Sequence, residues 1–462
     1  MKPKYIFPHV LIIATLLLLF IKCERFVEVD DPTNQISQAT VFKDKATALS
    51  ALADVYANLR SNSMLDGSIS GAQFLTGCYS DELATITTQQ NGMKAFYDLT
   101  VLTTTPAVDD TWISTYRNIY AVNNIIEGVS RSDAYLDETT KNTLTGEALT
   151  IRAFLHFYLS GLYGEVPYVE TTDYSTNQNI SKNTLPEIYS KLQRDLGQAE
   201  NLLSDTYPAP DRTRINRTAV RLLLARVFIY HQEWEKARQY ANLVITNPMY
   251  SVETSLENVF LKGAKSTVWQ FAPVETGANT LEGQTFIIRA TPPQYAFLAQ
   301  NLRASFDAGD LRLGQWTKSI SGDTTTYFYP YKYKQYAKTA ASLEYSVILR
   351  IEEAYLIAAE ADNRLGNTVA ALQKLSVVRT RAGLTTPSTA SQQDIQNLIV
   401  QERRHEFFTE GGHRFFDLKR WGLLDTTMQS VKPQWQNFMK NWPLPQRELL
   451  VNKNLNPQND GY

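Results

Sequence analysis

Cysteine and strongly basic segments are scarce in this chain of 462 residues. It has two cysteines, Cys23 and Cys78, which are too few for a disulfide framework or a cysteine-rich zinc site. The formal net charge is −2 and the chain has no long run of Lys or Arg, so it lacks the electrostatic footprint of a nucleic-acid-binding protein. The hydrophobic share of 43% still allows a sizeable globular core.

Signatures of catalysis are also missing. His405-Glu406 lacks the second histidine that a zinc-protease helix requires, because Thr409 stands at that position. No Gly-x-Ser-x-Gly elbow and no phosphate-binding glycine loop occurs. Glycoside hydrolysis needs two carboxylates at a defined separation, and the candidates here are poor: Asp81-Glu82, Asp109-Asp110 and Asp307/Asp310. We therefore expect a protein that is not an enzyme and holds no cofactor or metal.

The apolar run near the N-terminus is too short to span a bilayer comfortably. It extends over residues 10–21 behind Lys2 and Lys4, as is typical of a signal peptide. It ends at Lys22-Cys23, and a cysteine at this place resembles the acylated residue of a bacterial lipoprotein. The alternative is an ordinary cleaved signal with an incidental cysteine, since the preceding residue is usually small.

The expected organisation follows from that signal. We predict a signal peptide at residues 1–22, lipidation of Cys23 and an acidic tether at 23–38. Several acyl chains would anchor the protein stably at a membrane surface, whereas one binds only marginally. Cys78 would then be left as a free, buried thiol.

Helical periodicity recurs through the mature chain. Two segments, 218–245 and 347–383, each predict a helical hairpin. Small alanines recur at one offset in both, Ala225 to Ala237 and Ala359 to Ala371, as in tetratricopeptide repeats; any antiparallel helix pair could share the offset by chance. The other predicted helices cover residues 47–59, 111–128, 144–162, 187–203 and 391–408.

Two stretches, 64–108 and 260–336, are rich in Gly, Thr, Pro and aromatic residues. They predict loops and short strands, and long irregular stretches of this kind are usually functional or disordered. Because aromatic content argues against disorder, we expect the helices to form a scaffold and these two stretches to form the working surface.

Five segments occur in an order that is specific as a set. They are Arg152–Pro167, Leu224–Ala237, Val377–Gly383, Glu402–Arg420 and Trp442–Tyr462. Together they resemble the motifs of SusD/RagB-like outer-membrane lipoproteins, from the signal peptide to the last residue. The resemblance implies a mainly α, single SusD-like domain at 39–462, with four tetratricopeptide-like helix pairs supporting a loop-rich face.

The resemblance also implies a role. Family members capture oligosaccharide or polysaccharide, in some cases peptide, at the cell surface of Bacteroidetes-type bacteria. They act as a lid on a SusC-like, TonB-dependent outer-membrane transporter and convert nothing chemically. We therefore expect a lipid-anchored outer-membrane protein whose partners are a glycan or peptide ligand and that transporter.

A sugar-binding site needs exposed aromatic planes with a few polar side chains. The two irregular stretches supply these residue types, and the candidates are Tyr79, Asp81, Phe96, Tyr97, Arg289, Trp316, Tyr327, Tyr329 and Tyr331. The run 327–331 would place three tyrosines on one side of a strand, facing either ligand or core. These residues suit a peptide equally well, or could pack on the transporter.

A charged cluster near the C-terminus is expected to be structural rather than ligand-binding. Its members are Arg403, Arg404, Glu406, Arg414, Asp417 and Arg420. We predict a salt-bridge network there. The segment 307–312 resembles a structural turn of the family, in which Arg312 pairs with an aspartate.

Overall fold

The computed structural model describes residues 41–89, 92–132 and 135–462. The predicted signal peptide, the tether and the lipidation site Cys23 lie outside the described residues. Across the described ranges, every helix is too short or too polar to cross a membrane.

The helices and strands follow one another along the chain in three groups. The first group is α1 (Lys45–Ser61), α2 (Ala72–Tyr79), β1 (Leu83–Ala84), α3 (Gly92–Tyr97), α4 (Pro106–Ser130), α5 (Glu138–Tyr163), α6 (Tyr174–Asn177), α7 (Leu185–Leu202), α8 (Arg217–Tyr230) and α9 (Trp234–Ile245). The central group is β2 (Thr267–Phe271), α10 (Leu281–Phe286), β3 (Phe297–Leu298), α11 (Gln300–Ala304), α12 (Leu311–Gln315), β4 (Thr317–Ser321), β5 (Thr326–Pro330) and β6 (Ser346–Arg350). The last group is α13 (Ile351–Arg364), α14 (Thr368–Arg381), α15 (Gln392–Phe407), α16 (His413–Arg420), α17 (Leu424–Val431) and α18 (Gln446–Val451).

The scaffold is a continuous array of long helices. Helix α4 packs on α5, α5 on α7, α7 on α8, α8 on α9, α9 on α13 and α13 on α14. Both predicted hairpins are confirmed, as α8–α9 and α13–α14, and the four alanines at their crossings are fully buried. The mainly helical fold is thus confirmed, whereas the assignment of four tetratricopeptide-like pairs stays a prediction.

Local side-chain bonds set where several helices begin. Ser391 caps α15 at the start of the helix predicted over 391–408, where its hydroxyl accepts the Asp394 amide at 3.1 Å. Thr184 and Glu187 form a reciprocal capping box at the start of α7. Such caps satisfy amides that have no partner within the helix, so helix starts are encoded locally.

The strands of the described residues form three two-stranded antiparallel sheets, β1–β3, β2–β6 and β4–β5. In the first, Leu83 pairs with Leu298 and Ala84 with Phe297. This pair joins the two predicted irregular stretches, which are far apart in sequence. The prediction of loops and short strands there was incomplete, because α2, α3, α10, α11 and α12 also form. These helices have five to eight residues, too few to give a clear 3.6-residue period.

Candidate functional site

Tyr79 and Phe96 lie in the hydrophobic core, so their prediction as ligand contacts was wrong. Tyr79 is 1% exposed and Phe96 is fully buried. The Tyr79 hydroxyl donates a 2.9 Å hydrogen bond to the Met439 carbonyl oxygen. The Phe96 ring lies 4.6 Å from that of Trp442, centroid to centroid. Buried aromatic clusters of this kind contribute packing energy, and a ligand cannot reach them.

Trp316 is also a core residue, and its prediction as a ligand contact is corrected. Its side chain is fully buried. The indole Nε1–H donates to the Leu256 carbonyl oxygen at 3.0 Å, which satisfies its donor internally. Its ring lies edge-on to Phe260, with 5.5 Å between the centroids.

Asp81 belongs to the structural charge network instead of to a ligand site. Its carboxylate accepts hydrogen bonds from Arg404 at 2.7 Å and from Arg414 at 2.9 Å. Burial alone would raise the pKa of Asp81, but the two arginines outweigh burial and lower it. A carboxylate so occupied has little capacity left for a ligand.

The predicted salt-bridge network is confirmed. Arg403 pairs with Asp417 at 2.7 Å, and Arg420 pairs with both Asp417 and Glu360. Arg312 pairs with Asp310 at 2.8 Å, as the turn at 307–312 predicts. The side chains of these groups are at most 6% exposed, and ionised groups are buried only when they are paired.

Of the three tyrosines of 327–331, Tyr327 and Tyr329 lie on β5 and Tyr331 comes directly after it. Tyr329 is 7% exposed, whereas Tyr327 and Tyr331 are half-buried. The Tyr327 ring lies 5.2 Å from Phe297 at the end of the β1–β3 pair, and Lys318 lies 4.1 Å from the Tyr331 ring. Burial of Tyr329 turns one of the three towards the core, so the tyrosine run does not form one exposed face.

Tyr97 and Arg289 keep partial or full exposure. The Lys432 ammonium lies 4.6 Å from the Tyr97 ring and donates a 2.8 Å hydrogen bond to the Tyr97 carbonyl oxygen. Arg289 lies over the exposed ring of Tyr336, with 5.5 Å between guanidinium and centroid. Of the two, Arg289 lines a cavity.

A cleft of about 740 Å³ lies beside α4. Its lining includes the buried side chains of Met64, Leu75 and Met93, together with Gln294 and Tyr295. One wall is formed by residues of α4, some exposed and some buried: Ala107, Asp110, Thr111, Ile113, Ser114, Arg117 and Asn118. We call this cavity the large cleft.

Another part of the lining of the large cleft is the turn at residues 62–71. Hydrogen bonds within this segment and next to it hold the turn in place. The Asp66 carboxylate accepts the Ser68 amide at 2.8 Å, and the Ala72 amide donates to the Met64 carbonyl oxygen at 2.7 Å. A Cβ on Gly71 would stand 2.0 Å from the Asp66 carbonyl oxygen, so only glycine fits that close approach. A wall held in this way is already ordered before a ligand binds, which lowers the entropic cost of binding.

A second cavity of about 240 Å³ adjoins the large cleft. Gln294 and Tyr295 line both cavities, and Arg289 and Ala290 are exposed in the second, which we call the small cleft. Tyr295 thus stands between two openings, with part of its side chain exposed.

Tyr295 is held in place by the strand pair that joins the two irregular stretches. The Thr85 hydroxyl, just after β1, donates to the Tyr295 carbonyl oxygen at 3.1 Å. The Ala299 amide, just after β3, donates to the Glu82 carbonyl oxygen at 2.9 Å. The boundary residue therefore lies in a bend just before β3, and hydrogen bonds tie this bend to the β1–β3 pair.

Sequence reasoning missed Gln294, Tyr295 and the cleft face of α4. The signal for α4 was present, because Asp110, Ser114 and Arg117 recur at three- and four-residue spacing on one side of a predicted helix. No sequence pattern marks Tyr295, which matters only because distant elements surround it.

The chemistry of the two clefts suits recognition of a polar ligand. The combined lining has both polar and apolar groups: amides, hydroxyls and two arginines occur with aliphatic side chains and the ring of Tyr295. A mixed lining with an aromatic plane fits molecules that have both hydroxyl groups and apolar faces. Within the described ranges no cluster of His, Cys, Asp or Glu could hold a metal ion. The Asp66 carboxylate is engaged in its turn, and burial raises its pKa.

Two family models match the chain over most of its length. A model of the SusD family matches residues 299–462. A second, described as starch-binding and associating with the outer membrane, matches residues 27–229. The chain belongs to the SusD/RagB family.

Relatives support this membership over nearly the whole chain. Two SusD-like proteins of Formosa agariphila are 24% and 26% identical, over 98% and 97% of this chain and 99% and 98% of their own lengths. A SusD superfamily crystal structure from Bacteroides vulgatus has a TM-score of 0.79 at 21% identity, covering 92% of this chain and 100% of that one. A laminarin-binding SusD-like protein has a TM-score of 0.74 at 18% identity, covering 91% of this chain and 100% of its own. The structural likenesses establish the SusD fold.

Proposed function

We propose that this SusD-family protein captures oligosaccharide or polysaccharide at the cell surface and passes it to a SusC-like, TonB-dependent transporter in the outer membrane. The observation that carries the proposal is the pair of clefts that share Gln294 and Tyr295 in their linings and combine polar groups with an aromatic ring. The family descriptions of starch binding and outer-membrane association, and the laminarin-binding relative, favour a glycan. Lipidation of Cys23 would hold the protein at the membrane.

Binding without conversion agrees with the chemistry of the clefts. Hydrolysis of a glycosidic bond uses two carboxyl groups that face each other across the substrate. The large cleft has two carboxylates, of which Asp66 is buried in its turn and Asp110 is exposed on α4. We propose that neither acts on a glycosidic bond.

Titration calorimetry tests the proposal on protein that begins at residue 24. The ligands are laminarin, starch and other polysaccharides, with peptides as a separate set. We expect saturable heat with one glycan class, lost in Tyr295→Ala and kept in Tyr174→Ala, because Tyr174 is an exposed tyrosine outside both clefts. Heat from peptides alone would transfer the function to peptide capture, and new reducing ends would indicate a hydrolase.

Delivery and anchoring have their own tests. Cys23→Ala should release the full-length protein from the outer-membrane fraction of cells, while the wild type stays with it. Purification of the membrane-bound form should bring a TonB-dependent transporter with it. A preparation without such a partner would argue against the delivery role and leave glycan binding intact.

A further inference from the structure

Glu282 is a buried carboxyl group that contacts the turn at residues 62–71. It lies in the first turn of α10 and is 3% exposed. A Cβ on Gly67 would stand 2.3 Å from the Cδ and Oε2 atoms of Glu282, so the backbone of the turn lies directly on the carboxyl group. The same turn lines the large cleft. Glu282 therefore supports this part of the lining from inside the protein.

Two neutral donors hold the Glu282 carboxyl group, and each comes from a different element. The Ser346 hydroxyl on β6 donates to Oε2 at 2.7 Å, and the Gln73 side-chain amide on α2 donates to Oε1 at 3.3 Å. Glu282 thus joins α10, α2 and β6 beneath the turn. Loss of this junction would remove the support on which Gly67 lies.

The cations nearest to Glu282 are engaged by other groups. Two small cavities of about 30 and 10 Å³ adjoin Glu282, the first lined by Arg350 and the second by Lys332. Arg350 is bonded to Glu406 and Glu410, and Lys332 gives its three N–H groups to two carbonyl oxygens and to Glu410. The cavities have room for no more than about two water molecules. An ionised Glu282 would therefore have little to compensate its charge.

The other titratable groups around Glu282 do not compensate its charge either. They are Asp66 on the turn, and Tyr158, Tyr333, Glu353 and His413 in the linings of the two cavities. Glu353 is paired with Arg226, and burial lowers the pKa of His413, so its ring is neutral. Burial raises the pKa of Glu282 above 4.5 and Asp66 adds to this effect, while the hydrogen bond from Ser346 opposes it.

We infer that Glu282 is a proton-dependent clamp for the turn at residues 62–71: its neutral carboxyl group holds the turn closed, and its ionised form releases the turn. Ionisation adds a negative charge near the buried Asp66, and movement of the turn relieves this repulsion because it carries Asp66 away and admits water. The turn is closed in acid and opens as pH rises. The inference concerns the folding of the turn, so it stands whether or not the large cleft binds glycan.

Proton linkage gives the direction of the pH dependence. In the closed turn Glu282 keeps its proton to a higher pH than an exposed glutamate, whose pKa is 4.5. The open turn therefore binds fewer protons above that pH, and the free energy of opening falls as pH rises. One such proton changes the opening equilibrium by up to about tenfold per pH unit.

Hydrogen exchange, followed by mass spectrometry on the mature chain without ligand, tests the inference. The peptide covering residues 62–72 contains the amides of Ser68, Gly71 and Ala72, which are hydrogen-bonded in and beside the turn. After correction for the intrinsic exchange rate, we expect the protection of these amides to fall by about threefold to tenfold per pH unit between about pH 5 and 7. Protection that does not change with pH would overturn the inference.

Non-titrating variants identify the group responsible. Glu282→Gln keeps the shape of the side chain and cannot ionise, so it should remove most of the pH dependence and keep the turn protected at pH 7. Glu138→Gln, at an exposed position, should behave like the wild type.

Asp66→Asn provides a second variant that leaves α10 unaltered and keeps an oxygen for the Ser68 amide. It should also weaken the pH dependence, because it removes the charge that an ionised Glu282 would meet. It decides the question if Glu282→Gln does not fold. A pH dependence as steep as that of the wild type, in folded Glu282→Gln or in Asp66→Asn, would overturn the inference.

Discussion

The Arg226 guanidinium on α8 donates two hydrogen bonds of 2.6 Å to the Glu353 carboxylate on α13. Both side chains are buried, with 4% and 2% of their surfaces exposed. The pair thus joins the two helical hairpins across their interface. A buried pair of this geometry is costly to break, because the remaining charge has no water and no partner.

Glu353→Gln should therefore destabilise the protein by about 3–5 kcal/mol, since it leaves Arg226 charged and unpaired. Urea unfolding followed by circular dichroism measures the loss. Glu235→Gln is the matched control, because Glu235 pairs with Arg238 while 65% exposed, and exposed pairs are worth about 0–1 kcal/mol. The double variant Arg226→Met/Glu353→Leu should recover part of the loss. A Glu353→Gln protein as stable as the control would contradict this account.

Lys419 should make the protein more stable as pH rises. Its ammonium donates to the Gly161 carbonyl oxygen at 2.6 Å and to Asn441 Oδ1 at 2.8 Å. Burial, with a smaller effect of Lys440, lowers its pKa from 10.5 to about 7. Above that pH the folded state releases a proton that the unfolded state keeps, so the free energy of unfolding increases until about pH 10.5.

Lys419→Met should remove about 2 kcal/mol of the stability gained between about pH 7 and 9. Urea unfolding at the two pH values measures the difference. Lys453→Met provides the control, since Lys453 is exposed, and it should leave the pH dependence of the wild type unchanged. The same slope in wild type and Lys419→Met would show that Lys419 stays protonated in the fold.

Glu82 should make the protein less stable as pH rises, in a lower pH range than Lys419. It is 1% exposed, and its carboxylate accepts the Thr409 amide at 3.3 Å. Burial, reinforced by Asp81, raises its pKa from 4.5 to about 8 against the opposing effect of Arg414. Between these values the unfolded state releases a proton that the folded state keeps, so the free energy of unfolding falls as pH rises.

Between about pH 5 and 7, the free energy of unfolding of Glu82→Gln should fall by about 2–3 kcal/mol less than that of the wild type. Glutamine keeps the shape and cannot titrate. Thermal unfolding at both pH values measures the change, and Glu138→Gln, in the first turn of α5, tests whether any glutamate would do the same. If the stability of Glu82→Gln fell as steeply with pH as that of the wild type, the pH dependence would come from other groups.

Truncation of Trp316 should reduce the stability of the protein, whereas truncation of Tyr295 should reduce ligand binding. Trp316→Ala should cost about 3–5 kcal/mol of stability because it empties a buried site. Trp316→Phe should cost less, although it leaves the Leu256 carbonyl oxygen without its indole donor. Tyr295→Ala should lose glycan affinity with a small change in melting temperature. Calorimetry of binding and of unfolding on the same variants measures both effects. A Trp316→Ala protein with wild-type stability and no glycan binding would contradict the structural role of Trp316.

Local patterns predicted the scaffold well. The hairpins α8–α9 and α13–α14 follow from the spacing of apolar residues, and the start of α15 follows from Ser391 and Asp394. Each of these features depends on residues that are close together in the sequence, so a local pattern is enough to predict it. The charge network was predictable for a related reason, since so many charged residues among aromatics must be paired to be buried.

The candidate site was predicted poorly because exposure of an aromatic residue is decided by distant parts of the chain. Tyr79 is covered by the segment around Met439, and Trp316 by the segment around Leu256. Composition pointed to two stretches that both contribute residues to the clefts, but it could not tell which rings face inward. Tyr295 was overlooked for the converse reason, because the elements that make it a boundary come from α4, the turn at 62–71 and the β1–β3 pair.

Helix α4 carries its core-packing residues and its exposed cleft-lining residues on different sides. Its inward side, with Val108, Trp112, Ile119 and Val122, is buried and carries the packing energy. Its outward side, with Asp110, Ser114 and Arg117, lines the large cleft. Surface substitutions away from buried features usually change stability by less than about 0.5 kcal/mol. If the large cleft binds glycan as proposed, preference for a new polysaccharide can be engineered by exchanging outward residues of one helix while the scaffold stays intact.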